Sequence, residues 1–547
     1  MSEDISTMSA PTLAKTEQQN SEAATSSGWI YFALLGVITI IAAILRIYNL
    51  GTESFSYDEG IMLELTSSSF ARVMEDIRFG RPPFLVLLGY LWVNLFGKSE
   101  VAVRSLPALA GILSIPMLYL VGTELFTKRV ALIASAIMSV STFHIFHSQD
   151  YRYYSLLTLM TLVSFYFLIR LLRTGNMRYF LPYVITGALV YYTHYQGAFI
   201  LLAQGLYFLL QFLRYSWRTC GIWVLSQLAI LLCLVPSALT MLNDFTAGAD
   251  DGDYNGTIGA MGNLGPLSDP PLWIPLHTLL IKFMFISIEN LLNVQYILAA
   301  VALLAICIIG HQLWSKGRSS STISKKQPVS IWQQAWRDFS EASPNRSWLL
   351  LLALWVLVPV FVPLLISKVV APVYLPRYTI GALPGFCLAI ALGLTMVRSI
   401  VPEVVTVGAL AILLFPGLSN YYSQEYKDQW AETAAIVIQN AQADDKLLFI
   451  STNNESATRM QSVFNVYHPD TLSECTLDPG LTPANEISTQ FQDCTEGYKR
   501  IWIVTRTIET EASTALEMNM LESISESWEI VEQDSFVGTT VRLAVHE

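Results

Sequence analysis

Eleven stretches of this sequence are apolar for about the length that an α-helix needs to cross a lipid bilayer, and this limits the fold more than any other feature. They run 29–48, 103–123, 129–147, 153–172, 179–193, 195–213, 221–242, 294–313, 347–366, 379–397 and 400–420. A hydrocarbon core ~30 Å thick takes about 20 helical residues to span. Only 14% of the residues are charged, whereas soluble domains carry about 25%. The mean hydropathy is +0.46. The reading is a mainly α, polytopic membrane bundle. Two of the runs, 179–193 and 195–213, are separated only by the polar region around His194. A twelfth run, PFLVLLGYLWVNLF at 83–96, is too short to cross and is read as lying along the interface.

Basic residues orient the bundle. With the N-terminus cytoplasmic and 83–96 not crossing, the cytoplasmic connections hold Lys128 and Arg129; Arg170, Arg173 and Arg178; Arg214 and Arg218; the Lys316–Arg346 group; and Arg398. This is the positive-inside distribution. It gives about eleven spans, N-terminus in and C-terminus out. Five polar islands then share the external face: Asp58–Glu59 in SFSYDEG, within an external loop at 49–102; QDYRYY at 149–154; THYQ at 193–196; the loop 243–293; and KVVAPVYLPRY at 368–378. Charged residues gathered against a bilayer are costly and mark function. One cavity opening outward accounts for the clustering.

The ends of the chain differ from its middle. Residues 1–28 are polar and read as a disordered cytoplasmic leader. Trp29–Tyr48 is long for a signal sequence and lacks a cleavage site, so it is read as a retained helix that begins a transmembrane unit over 29–422. From 423 to 547 the pattern becomes that of a small external α/β domain, with an amphipathic helix at 425–442, buried strands at 446–451 and 500–506, and a terminal hairpin. Cys475 and Cys494 lie in this tail and are a disulfide candidate if it is exported. The net charge of −11 does not suggest a nucleic-acid partner.

Several motifs in order resemble the GT-C superfamily of membrane glycosyltransferases, in its protein O-mannosyltransferase and aminoarabinose-transferase-like branch. They are RIYNLGTESFSYDEG; GRPPFLVLLGYLWVNLFGKSEVAVRSLPALAG; STFHIFHSQDYRYYSLL; YYTHYQGAF; and PVYLPRYTIGALPGF. A DE pair alone is weak, but the ordered set is strong and covers about three quarters of the chain. The resemblance implies a transferase that takes a sugar from a polyprenyl phosphate, such as undecaprenyl phosphate, on the outer face of the membrane. The partners are that donor, membrane lipids, and a lipid, glycan or protein acceptor. A bacterial inner membrane is the expected location. At 150–154 the family's acidic–x–Arg–x–Tyr pattern is met by Asp150, Tyr151, Arg152, Tyr153 and Tyr154, with the choice of tyrosine left open.

Within that resemblance, Asp58 is the expected general base, and Glu59 the alternate base or an orienting acceptor. Asp150 would position acceptor or sugar hydroxyls, with Arg152 supporting a carboxylate. Arg377 is the best phosphate ligand because its planar fork matches phosphate oxygens. Tyr378, Tyr154, His194, Lys368 and Arg81 complete the candidate substrate contacts. Each has a bland alternative: a helix cap for the acidic pair, an ion pair at a helix end for Asp150 and Arg152, interfacial snorkelling for the cations, and simple packing for His194. The sequence identifies no cofactor with certainty. A divalent metal on Asp58 and Asp150 is allowed, and a set of His144, His147 and Asp150 is the weaker metal reading. A transporter or flippase of a lipid-linked sugar is the alternative function, disfavoured because the charges sit at span ends and no repeat is visible.

Overall fold

A computed structural model of the chain describes residues 10–78, 82–246, 271–279, 283, 347–370, 373–395, 415–451, 456–468, 472–479, 484–506 and 517–546, apart from 519, 523, 525 and 526. The runs 294–313 and most of 400–420, the bulk of the loop 243–293, and Arg81 lie outside these residues.

The membrane part is a helical bundle. Its helices are α1 (Ala10–Ile47), α2 (Tyr57–Ser67), α3 (Phe70–Arg78), α4 (Pro83–Phe96), α5 (Glu100–Leu125), α6 (Lys128–Val140), α7 (Thr142–Ser148), α8 (Tyr154–Thr174), α9 (Phe180–Thr193), α10 (Gly197–Gln211), α11 (Trp217–Thr246), α12 (Ser347–Val369) and α13 (Leu383–Thr395). A 3₁₀ turn, Pro376–Ala382, leads into α13. Among the described residues seven helices are long and apolar enough to cross a membrane, or eight if the bent pair α6–α7 is one span. Two expectations change. The leader is helical from Ala10 onward, in keeping with its Ala, Lys, Glu and Gln content. The run 129–147 is broken, bending by 63° between α6 and α7. Ser141 explains the break: its hydroxyl caps α7 at the His144 amide and donates to the carbonyl of Phe283. The short run 83–96 is helix α4, begun by Pro82–Pro83 and stopped at Gly97, whose φ of +91° suits glycine.

The bundle has two polar ends. At one, Glu124 near the end of α5 pairs with Arg170 and Arg173 near the end of α8, and Arg170 and Arg178 both donate to the Tyr179 hydroxyl. At the other lie the starts of α5 and α8, the end of α9 at His194, and the 3₁₀ turn. The 14 residues of α9 therefore connect the two ends. Small residues let helices approach closely in the core, as at Gly122, where a Cβ would stand 2.8 Å from that of Ala131.

After a helical segment at 415–423 the chain builds an α/β domain: α14 (Trp430–Asn440), β1 (Lys446–Ile450), α15 (Ala457–Phe464), β2 (Ser473–Leu477), α16 (Ala484–Thr495), β3 (Arg500–Arg506), β4 (Glu529–Phe536) and β5 (Thr539–Val545). Its sheet has the order β2-β1-β3-β5-β4, with β2, β1 and β3 parallel and β5 antiparallel to both of its neighbours. The strands β1 and β3 are almost continuously apolar because both sheet faces are covered. Trp430, Val437 and Phe464 pack on one side, and Ile524 and Trp528 on the other. Cys475 on β2 and Cys494 on α16 form a disulfide with Cα atoms 6.0 Å apart. The sequence pattern anticipates β1, β3 and the β4–β5 hairpin, but not β2, which is short and half-exposed.

This domain docks on α2. Tyr57 enters its core beside Trp430 and Val463, and Tyr467 donates to Glu100 while accepting from the Phe55 amide. Gly60 makes the approach: a Cβ there would meet Val463 Cγ2 at 2.3 Å. Gly60→Val is therefore expected to cost about 1–3 kcal/mol of overpacking and to loosen the contact. Limited proteolysis should then cut within 424–546 faster than in the unaltered protein.

Candidate active site

The sequence S-Y-D-E supplies its own helix start. Ser56 caps α2 by accepting from the Glu59 amide, and the Glu59 carboxylate returns a bond to the Ser56 amide. This reciprocal box places two carboxylates in the first turn, where the helix dipole favours them. Neighbours on an α-helix point about 100° apart, so Asp58 and Glu59 face different surroundings.

Glu59 is fully buried. Arg104 of α5 grips it with two bonds, Nε to Oε1 at 2.9 Å and Nη2 to Oε2 at 2.8 Å. Lys427 Nζ reaches Oε1 at 2.8 Å. The amide of Tyr151 donates to the same oxygen at 2.8 Å. Burial would raise this carboxyl, but Arg104 and Lys427 outweigh it and hold the group well below the ordinary range. Arg104 spends its remaining N–H groups on the carbonyls of Leu50, Glu53 and Ser54.

Asp58 keeps 39% of its side chain exposed. Its Oδ1 lies 3.2 Å from Arg152 Nη1 and its Oδ2 lies 3.6 Å from Arg377 Nη1. Enclosure alone would raise the Asp58 carboxyl, yet Arg152, Arg377 and Arg506 together lower it. It is thus ionised at neutral pH. Arg377 is itself 42% exposed and its pair with Asp58 is long, so an incoming anion can compete for it. Pro376 starts the 3₁₀ turn that aims this arginine, and Tyr378 lies beneath its guanidinium, 5.8 Å from the ring centroid.

Asp150 lies in the loop between α7 and α8. Burial and the charge of Glu59 push its carboxyl up to about 7, with Asp58 adding to the rise and Lys427 and Arg152 opposing it. His194 sits between Tyr153 and Tyr378, with centroid distances of 4.4 and 4.8 Å, and Tyr154 follows at 6.2 Å. Burial, Arg152 and Arg377 lower this imidazole to about 3, so it is neutral. Its Nδ1 accepts from the Gln196 amide, which leaves the proton on Nε2.

The fold therefore brings Asp58, Glu59, Asp150, Arg152, Tyr154, His194, Arg377 and Tyr378 to one end of the bundle. Lys368 lies on the exposed last turn of α12. Among the described residues no group of three or more His, Cys, Asp or Glu side chains is set to hold a metal ion. Asp58 faces arginines instead, and His144 Nδ1 accepts from Arg46 Nη2 at 2.7 Å. The motif pattern contained Arg104, as the Arg of G-x-S-E-x-x-x-R, without a role. A lone arginine inside an apolar span was the available signal. Lys427 was hidden within a segment that read as an amphipathic helix.

The fold is shared with a solved membrane-protein structure, and part of the chain matches one family model. The dolichyl-phosphate-mannose-protein mannosyltransferase family matches residues 80–239. Among solved structures, ArnT from Cupriavidus metallidurans bound to undecaprenyl phosphate aligns with a TM-score of 0.50 and 13% identity, over 95% of this chain and 98% of that one. The oligosaccharyltransferase AglB from Archaeoglobus fulgidus aligns at 0.48 and 13% identity, over 94% and 74%. The S. cerevisiae protein O-mannosyltransferase Pmt1–Pmt2 complex aligns at 0.33 and 15%, over 40% and 34%. No curated protein matches the chain by sequence.

Arg104→Met removes two bonds from a buried carboxylate. It is expected to destabilise the protein by about 3–5 kcal/mol, read as a fall in the unfolding midpoint in detergent. Adding Glu59→Gln should recover part of that loss.

Proposed function

We propose that this protein is an inverting glycosyltransferase that moves a sugar from a polyprenyl phosphate to an acceptor hydroxyl or phosphate on the external face of the membrane. The observation that carries this reading is an ionised, half-exposed Asp58 between Arg152 and Arg377. A base and a phosphate-matched cation share one hollow. The donor class is supported by the fold shared with ArnT, whose solved structure is bound to undecaprenyl phosphate.

Asp58 takes the proton of the acceptor as its oxygen bonds to the anomeric carbon. The bond from that carbon to the phosphate oxygen breaks, and its electron pair leaves with the phosphate, opposite the attack. Arg377 receives the phosphate charge, with Tyr378, His194 and Tyr154 around it. Arg152 holds Asp58 in aim, Asp150 accepts from substrate hydroxyls, and Glu59 orients the turn that carries the base. Lys368, and from the sequence alone Arg81, are secondary candidates for binding the lipid phosphate. Charge stabilisation by fixed groups is the largest contribution expected in such a site.

Two features support an outward site in an eleven-span bundle. The cluster of Arg170, Arg173 and Arg178 lies at the end of the bundle away from Asp58, as expected for a cytoplasmic face. The domain docked over Asp58 contains the Cys475–Cys494 bond, which suits an oxidising compartment. A multi-pass protein of a bacterial inner membrane fits both.

Asp58→Asn is expected to lower sugar transfer by about 100-fold or more while membrane insertion is kept. Transfer at the unaltered rate in this variant would remove Asp58 from the mechanism. The pH dependence follows from Asp150: its carboxyl is neutral below about 7 and charged above it, and the charged form is the better acceptor. Transfer should rise through that pH, and Asp150→Asn should flatten the limb. Asp58, whose carboxyl is lowered, contributes no limb in this window.

A further inference from the structure

The α/β domain does more than rest on the membrane part, because two of its leading residues reach the turn that carries the carboxylates. Lys427 is 5% exposed. Its Nζ lies 2.8 Å from Glu59 Oε1 and 2.8 Å from the carbonyl oxygen of Gln149. The Tyr151 amide meets the same Glu59 oxygen at 2.8 Å. The peptide units on both sides of Asp150 are thus held by one Lys427–Glu59 pair. Gln149 is fixed further by its side chain, which donates to the carbonyl of Tyr48 and accepts from the Tyr421 hydroxyl.

Asp428 acts on the other side of the turn. Its Oδ2 accepts from the Tyr57 amide, the first of α2, at 2.9 Å, and from Arg506 Nε at 3.2 Å. The Arg506 guanidinium lies 4.5 Å from the centre of the Tyr57 ring. The Asp428 carbonyl accepts from Ser54 Oγ. The tip of the β4–β5 hairpin secures the pair from behind. Gln429 exchanges two bonds with Val537, and Gly538, at φ +72°, lies so close that a Cβ would stand 2.1 Å from Asp428 Oδ1.

We propose that Lys427 and Asp428 are positioning residues of the transfer site, through which the α/β domain sets the aim of Asp58 and Asp150. Lys427 acts through Glu59 and the Gln149 carbonyl, and Asp428 through the first amide of α2. The inference rests on the reading that Asp58 and Asp150 take part in sugar transfer. Lys427 and Asp428 bond protein groups, so their loss affects the geometry of the reacting groups more than the affinity for the donor.

The test uses the full-length protein in lipid nanodiscs with an undecaprenyl-phosphate sugar donor. Lys427→Met should lower kcat by about 100-fold, as a displaced reacting group does, with the donor KM within about threefold, as expected where substrate contacts are kept. Lys427→Arg, which keeps the charge, should restore most of the rate. Hydrogen exchange of peptides covering 57–67 and 149–153 should be faster in the methionine variant and normal in the arginine variant. An unchanged kcat in Lys427→Met, or an equal loss in both variants, overturns the proposal. If the methionine variant does not accumulate, Asp428→Asn decides. It should lower kcat by about tenfold and speed exchange at the Tyr57 amide, and no change in either overturns the proposal. If the unaltered protein transfers no sugar, the functional reading fails on its own. The exchange measurements then still judge the positioning role, and unchanged protection in Lys427→Met rejects it.

Discussion

A single buried carboxylate holds the molecule's functional end together. Glu59 is removed from water, and a bare charge there would cost several kcal/mol. The structure meets that cost with two cations and two amides drawn from separate parts of the chain: Arg104 from α5, Lys427 from the start of the α/β domain, the Tyr151 amide from the loop before α8, and the Ser56 amide from its own cap. Three donors converge on Oε1 and two on Oε2, so the four segments share one geometry. Arg104 extends this to the loop after α1 through three backbone carbonyls.

Two adjacent acids with the same chemistry take opposite roles because a helix turns them apart. Glu59 points inward and is saturated with donors. Asp58 stays partly exposed and meets guanidinium groups at 3.2 and 3.6 Å, the second of them half-exposed. The rigid acid fixes the direction of the open one. Asp150, a third carboxylate nearby, stays near the point of neutralisation because the field of Glu59 and its own burial oppose its charge. One short helix and one loop therefore offer two carboxyls held low and a third raised to about 7.

Much of this was legible in the sequence, and the omissions have physical causes. Periodicity and length identify the helices, and the polar islands at 58–59, 149–154, 193–196 and 368–378 come to one end, since spans of alternating direction return every second connection to the same side. The α/β tail was legible where strands are fully apolar, as at 446–450 and 500–506, and not at the half-exposed β2. The broken helix at Ser141 was hidden because a capping serine looks like any other small residue inside an apolar run. Arg104 could be seen as an arginine within a span, but its partner could not, because nothing local links it to residue 59. Lys427 was the least legible: its role depends wholly on a contact across 368 positions.

That separation governs how the molecule is completed. Glu59 meets Arg104 after only 45 further residues, but it must wait for Lys427 until most of the polypeptide exists. At translation speeds of roughly 5–20 residues per second, the wait is roughly 20–70 s. Throughout that interval the turn that carries Asp58 and Glu59 has an acid with one counter-charge and a helix start without the Asp428 contact. A chain cut short before Lys427 would leave Glu59 without its second cation.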